Sequence, residues 1–350
     1  MSESKRPETL IRRLAMEVVR TQVNRWARNG RFLPSAEDPE AVHNYRVALR
    51  RLRTLLRAFR PWLPSIAPGV RRRLRRLMRG TSEPRNLEVL LAWVAAETGA
   101  LTARQQVGAQ WFASRLQVQR ARSEEMMRHR MAVRSAPLQA ELRKALGKSA
   151  VSHRSLPRAL PLSLNHLLRR EALALEMALA RIHALADRQE IHDARIAAKR
   201  LRYLLEPFEH RLPGATELLS RLRELQDLLG IITDVHTGAD ELRAALVEAN
   251  AGRAYRLGRE LLPWPGLDPA PAAPPPPPPG SILGLTALSR RLRITGQAGF
   301  ERFRTEWQGG PSAELIAQAM KVAGESTQRQ SGRPDLNRRL PAPKAGALPG

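Results

Sequence analysis

Cysteine is absent from all 350 residues, which excludes disulfides, thiolate metal sites and thiol nucleophiles. Aromatic residues make up only 4% of the chain, so base-stacking platforms for nucleic acid are few. No stretch reaches the ~18 uncharged apolar residues of a membrane span, and Met1 to Arg13 lacks the apolar centre of a secretion signal. A soluble cytoplasmic protein is the expectation. Alternating β-branched runs are missing as well, which points away from strands and toward an all-α fold. Catalytic signatures are equally absent: there is no P-loop glycine pattern, no His-Glu-x-x-His and no Glu-x-Glu-x-Lys. Acid is the scarce charge, with 33 Asp and Glu against 59 Lys and Arg for a formal net charge of +26. Such an excess favours a polyanionic partner, whether nucleic acid, an anionic membrane surface or a phosphate polymer.

What the chain does contain is one helical segment twice. The stretch from His43 to Phe59 recurs 149 positions later from His192 to Phe208, with nine of seventeen aligned pairs identical. Asn44/Asp193, Val47/Ile196 and Arg50/Lys199 keep their chemistry. A period this long reads as a duplicated half rather than a solenoid unit. At 100° per residue, His43, Arg46, Arg50, Arg53 and Arg57 share an arc of about 80°, while Leu49, Leu52, Leu56 and Phe59 lie on the neighbouring one. The second copy repeats the stripe as His192, Arg195, Lys199 and Arg202, with Glu206 at the fifth place. Asp38-Pro39 has the form of an N-cap, and Asp187-x-x-Glu190 that of a capping box.

Taken in order, helices are predicted over Thr9 to Trp26, over the repeat segment up to Arg60-Pro61, and over the arginine-dense Val70 to Met78. Leu87 to Ala96 and Ala103 to Met131 follow. Residues 135 to 161 carry Pro137, Gly147, Pro157 and Pro161 and are read as the junction, giving halves at 7–157 and 158–310. The second half runs through Leu162 to Leu185, the repeated basic helix, Glu217 to Leu229, Glu241 to Leu262 and Leu283 to Trp307. A proline-rich insertion occupies 263–280, with Pro274 to Pro279 expected as polyproline II. Residues 311–350 are expected to be a disordered tail.

The doubled His-x-x-Arg-Val/Ile-Ala-x-Arg/Lys-Arg-Leu-Arg-x-Leu-Leu-x-x-Phe motif resembles the conserved histidine α-helical domain (CHAD) family. Arg85-Asn86-Leu87-Glu88 and Leu222 to Gly230 with Asp234-Val235 are further points of similarity. The resemblance implies two helical bundles related by pseudo-twofold symmetry, binding inorganic polyphosphate on a basic surface and able to localise to polyphosphate granules. Asn86 in place of an expected Asp, Gly80-Thr81-Ser82 in place of a Leu-Gly pattern, and the proline tract depart from the family.

The residue chemistry points the same way. A linear phosphate polymer needs a row of cations, and arginine offers a permanent charge with a bidentate fork. From Arg46 to Arg60 there is no acid at all, so self-repulsion opposes the helix unless an anion offsets it. The candidate polyphosphate-binding residues are His43, Arg46, Arg50, Arg53, Arg57, His192, Arg195, Lys199 and Arg202, with Arg51, Arg200, Arg75, Arg76 and Arg79 as secondary members. Imidazoles near a polyanion should gain protons and tighten binding below roughly pH 6.5. Neither a catalytic residue, a metal ligand nor a cofactor is expected. Glu206, Glu224 and Asp227 break the charge pattern of the second half, so the first half is expected to dominate. Nucleic acid is the alternative partner, and phosphohydrolysis of polyphosphate or triphosphates a third possibility that metal-dependent phosphate release would reveal.

Overall fold

Proline opens and closes the helix that carries the first copy of the repeat. This helix, α2, spans Pro39–Ala58. Its first residue lacks an N–H at a position where none would be bonded. At the other end the Phe59 N–H reaches the Leu55 carbonyl at 2.9 Å, and the 3₁₀ turn Arg60–Trp62 with Pro61 prevents continuation. The second copy, α7, spans Arg188–Leu205 and passes into the 3₁₀ segment Glu206–Arg211, which contains Pro207. Asp38 lies outside the described residues. Asp187 does not form the expected capping box: its carboxylate turns backward and accepts from the His183 and Ala184 N–H groups at 2.7 and 2.8 Å. Those bonds hold its pKa below the usual carboxylate range. They fix the turn before α7 rather than the first turn of α7 itself.

The computed structural model describes residues 5–30, 39–147, 162–261 and 277–328, and every regular element among them is helical. Around α2 and α7 stand α1 (Lys5–Gly30), α3 (Pro68–Arg79), α4 (Ser82–Thr98), α5 (Ala103–Leu146), α6 (Leu162–Leu179), α8 (Ala215–Leu261), α9 (Ser281–Trp307) and α10 (Gly310–Gln328). Among these described residues, no helix is long and apolar enough to cross a membrane.

Three expectations change. Pro137 does not end a helix: α5 runs 44 residues through it to Leu146, where Gly147 at φ 63 closes the C-terminus. Leu138, Leu142 and Leu146 are buried beyond the proline, so burial outweighs the lost backbone bond there. The two helices read on either side of Gly230 are a single 47-residue helix, α8. Gly238, within it, lies where an added Cβ would stand 3.1 and 3.2 Å from Leu90 and Leu292, so its lack of a side chain serves close packing. Finally, the assignment of 311–350 as a tail is corrected at its start. Leu315, Ile316, Ala319, Val322 and Ala323 are buried at helical spacing, and α10 packs closely on α6. The apolar stripe is short, and the sequence after it is rich in proline and polar residues. Residues 329–350, 148–161 and 262–276 lie outside the described residues, and with them most of the junction and of the proline tract.

The apolar interior forms two clusters. The larger unites α1, α2, α3, α6, α7 and α10 with parts of α5, α8 and α9, and holds Leu49, Leu52, Leu55, Leu56 and Phe59 of the first copy beside Leu201, Leu204, Leu205 and Phe208 of the second. Each buried leucine contributes roughly 1.5–3 kcal/mol of transfer energy. The smaller joins α4 to the remaining parts of the three long helices through Leu87, Phe112, Leu116, Leu242 and Leu288. At its edge α5 and α9 cross on paired glycines. A Cβ on Gly108 would sit 2.2 Å from the Ser281 carbonyl oxygen, and one on Gly284 would sit 2.2 Å from that of Gln105.

Candidate functional site

Tyr45 sets the rotation of α2 about its axis. The ring is fully buried and lies 5.9 Å from that of Trp26, and its hydroxyl shares a 2.6 Å hydrogen bond with Ser135 of α5. Burial pushes the phenol up to about 12. With Tyr45 anchored on one side and the leucines on another, the next residue, Arg46, is turned toward α7 and α4.

A cluster of cations forms there from four helices. Arg46 lies in the combined field of Arg50 on its own helix, Arg195 on α7 and Arg85 on α4, with Glu88 opposing them. Lys199 faces Arg195 and Arg202 on α7, Arg50 on α2 and Asp234 on α8. Arg53 extends the cluster toward Arg75 and Arg79 on α3. The two copies of the motif therefore face each other across one site and do not build two separate basic surfaces, so the charges of both halves act together. Arg50 and Lys199 share one field, and of the acids that break the charge pattern of the second half Asp227 acts on Arg195 and Glu206 approaches Arg202 at 3.6 Å.

The electrostatic state of the cluster is strained. Arg46 is only 7% exposed, and one terminal guanidinium nitrogen has no hydrogen-bond partner. Burial, reinforced by Arg50, Arg85 and Arg195, pulls its pKa down to about 9. Burial is also the main cause at Lys199, where Arg195, Arg50 and Arg202 add to it and Asp234 opposes, leaving the ammonium at about 6. Arg195 and Arg53 are shifted downward by desolvation as well. The Nε atoms of Arg195 and Arg202 are buried without a hydrogen-bond partner. On α8, Asp234 is half-buried, and desolvation raises its pKa against the pull of Arg195, Lys199 and Arg85. Gly230 on the same helix leaves room for Arg195: an added Cβ would come within 3.2 Å of the guanidinium.

Other predicted members are placed elsewhere. Arg57 leaves the stripe to pair with the buried Glu171 of α6 at 3.1 Å, and Arg170 joins the same carboxylate. Arg51 binds Glu206 at 2.7 Å and lies 5.6 Å over the Tyr203 ring; Arg202 stays at the edge of the cluster beside Lys199, yet it too approaches Glu206, at 3.6 Å, and lies 4.9 Å from that ring. Arg200 feels Arg57, Glu171 and Asp193 rather than the main cluster, and burial lowers its pKa first. Arg76 turns from the cluster toward α5. Both repeated histidines are exposed near the starts of their helices. His192 is shifted downward by desolvation, with Asp193 opposing and Arg195 and Lys199 adding.

Arg85, Glu88, Asp234 and Gly230 were not among the candidates. They lie 35 to 42 residues from the stripe residue each one meets, Arg46 for the first two and Arg195 for the others, and no local periodicity links them. Their only trace in the sequence was that they fall inside the supporting motifs. Among the described residues no three His, Asp or Glu side chains gather in a way that could hold a metal ion.

The comparisons with known proteins agree with this architecture. The family model "CHAD domain" matches residues 17–243. The CHAD domain from the plant Ricinus communis is similar in structure, with a TM-score of 0.53 at 17% identity over 88% of this chain and 91% of that one. PptA from Streptomyces chartreusis is similar with a TM-score of 0.57 at 18% identity over 84% of this chain and 98% of that one. No curated protein matches the chain in sequence. With the family model spanning well over half of its length, including both copies of the basic motif, the chain belongs to the CHAD domain family.

Proposed function

We propose that this protein binds inorganic polyphosphate through the cluster formed by Arg46, Arg50, Arg53, Arg85, Arg195, Lys199 and Arg202, without catalysing its turnover. The observation that carries the proposal is Arg46. A nine-tenths-buried guanidinium with an unpartnered nitrogen among like charges is costly in a protein standing alone. It becomes favourable when an anion supplies the missing oxygen atoms and the opposite charge. A chain of phosphates fits better than one carboxylate, because cations from α2, α3, α4 and α7 line up and outnumber the acids that act on them, which are Asp234, Glu88, Asp227 and, at Arg202, Glu206. The half-buried Asp234 acts on Arg195 and Lys199, and among the described residues it does not gather with two further acids or histidines in a way that could hold a metal ion.

The same chemistry supports recruitment of the protein to polyphosphate granules in the cytoplasm. Nucleic acid shares the electrostatic attraction, so salt dependence alone does not separate the two ligands. The discriminating experiment is a competition titration at physiological salt. Labelled long-chain polyphosphate is bound, then challenged with single- and double-stranded nucleic acid at equal phosphate concentration. Polyphosphate that resists displacement by a wide margin supports the proposal; displacement phosphate for phosphate overturns it in favour of a generic polyanion surface.

A further inference from the structure

Between α3 and α5 lies a second basic feature that the cluster does not use. A cavity of about 280 Å³ is lined by Arg76, Leu77, Gly80, Thr81, Met127, Arg130, Met131 and Arg134. A neighbouring cavity of similar size shares Arg76, Gly80 and Arg130 and adds Arg79 and Glu83. Arg76, Arg79, Arg130 and Arg134 are exposed, and none takes part in an ion pair among the described residues. Nearby on α5, by contrast, Arg120 and Arg128 are both neutralised by Glu124, at 2.6 and 3.2 Å. Arg130 and Arg134 are four residues apart on α5, a spacing at which like charges repel.

Arg79 connects the two features. It acts on Arg53 of the main cluster and also lines the cavity beside Arg76 and Arg130. Around α3 the cations thus run from Arg53 and Arg75 through Arg79 to Arg76, Arg130 and Arg134. The floor of the first cavity is apolar (Leu77, Met127 and Met131) and no acid lines it, while Glu83 lines its neighbour. A thin, flexible polyanion leaving the cluster past Arg79 would meet this second group of cations without crossing an acidic barrier.

We propose that the Arg76–Arg130–Arg134 cavity is a second phosphate-chain site, engaged only by chains long enough to extend past Arg79 from the main cluster. The proposal rests on polyphosphate as the ligand of that cluster, and it gives the protein a built-in preference for long chains. Joining a second contact through the ligand itself raises overall affinity by effective concentration, with no change in the first contact.

The test is a titration of the full chain with tripolyphosphate and with long-chain polyphosphate. The variants are Arg130→Ala/Arg134→Ala, Arg50→Glu, and Arg290→Ala/Arg293→Ala on α9 as a control for net charge. The expected result for Arg130→Ala/Arg134→Ala is unchanged tripolyphosphate affinity and about tenfold weaker long-chain affinity, with the salt slope reduced by about two. Long-chain affinity that stays unchanged, or falls only as far as in the α9 control, overturns the second site. So does an equal loss for both ligands. In each of those cases loss of both ligands in Arg50→Glu leaves the main cluster standing. If Arg50→Glu binds both like the wild type, the failure lies with the cluster itself.

Discussion

The Arg51 Nε stands 2.7 Å from a Glu206 carboxylate oxygen, joining the first copy of the repeat to the end of the second. The aligned counterparts of these residues are Arg200 and Arg57, since 51 + 149 = 200 and 57 + 149 = 206. That exchanged pair is also adjacent, but it brings two arginines together: burial first, and then Arg57, lower the pKa of Arg200. Glu171 of α6, 3% exposed, supplies the carboxylate that position 57 lacks. One contact has thus kept its acid within the repeat, and the other imports it from a neighbouring helix.

Removing the imported acid should therefore matter more. Glu171→Gln leaves Arg57 and Arg200 opposed next to a buried amide, and is expected to lower stability by about 2–4 kcal/mol. Glu206→Gln, at a more open site, is expected to cost about 1 kcal/mol. Urea denaturation of both variants provides the comparison. A Glu206→Gln loss equal to or larger than the Glu171→Gln loss contradicts the assignment.

Lys199 should make polyphosphate binding pH-dependent. In the free protein its pKa is pulled down to about 6 by burial and by Arg195, Arg50 and Arg202, with Asp234 opposing. A bound polyanion raises it again, so binding takes up protons and tightens as pH falls from about 8 toward 6. The stability of the free protein follows the opposite sense. The folded pKa lies below the unfolded one, so this group's penalty grows as pH falls from about 10 to 6 and is level below that. Calorimetric titration near pH 8 in buffers of different ionisation enthalpy should show uptake of close to one proton in the wild type. Lys199→Arg should lose most of it while keeping affinity. Uptake that persists in Lys199→Arg would move the effect to His43 and His192, where sequence reasoning alone had put it.

Glycines at two positions should respond differently to the same added methyl group. Gly108→Ala drives a Cβ into the backbone of α9, 2.2 Å from the Ser281 oxygen. It should destabilise by about 2–3 kcal/mol or separate the helices, with ligand affinity little changed. Gly230→Ala meets only the movable Arg195 guanidinium at 3.2 Å. It should leave the melting temperature within about 2 °C of wild type yet weaken polyphosphate binding several-fold by displacing a cation. Gly230→Ala with unchanged affinity would show that the position of Arg195 is unimportant.

Much of this fold could be read from residue order because its helices carry their own signals. The apolar spacing of Leu49, Leu52, Leu56 and Phe59 and the stop at Pro61 are local, and α2 follows them closely. Pro137 and α10 misled for the same physical reason: tertiary burial decided them, and burial of Leu138 or Leu315 is invisible to local propensity. The candidate site shows the same division. Helical phase put Arg46, Arg50 and Arg53 on one arc, but could not tell that Arg57 would turn to Glu171 or that Arg76 would face α5. Arg85 and Asp234 enter through packing of α4 and α8 on the repeated helices, a long-range matter that no spacing encodes.

Arg46→Met separates a ligand-binding role from a structural one, because stability and binding should move in opposite directions. Methionine fills the buried space without a charge, relieving the repulsion from Arg50, Arg85 and Arg195. The free Arg46→Met protein should melt at a temperature equal to or higher than wild type. Its polyphosphate affinity should be weaker by about tenfold or more, the loss of one charge-assisted bond set. A variant that melts several degrees lower and binds polyphosphate as tightly as wild type would make Arg46 a structural residue and contradict the account.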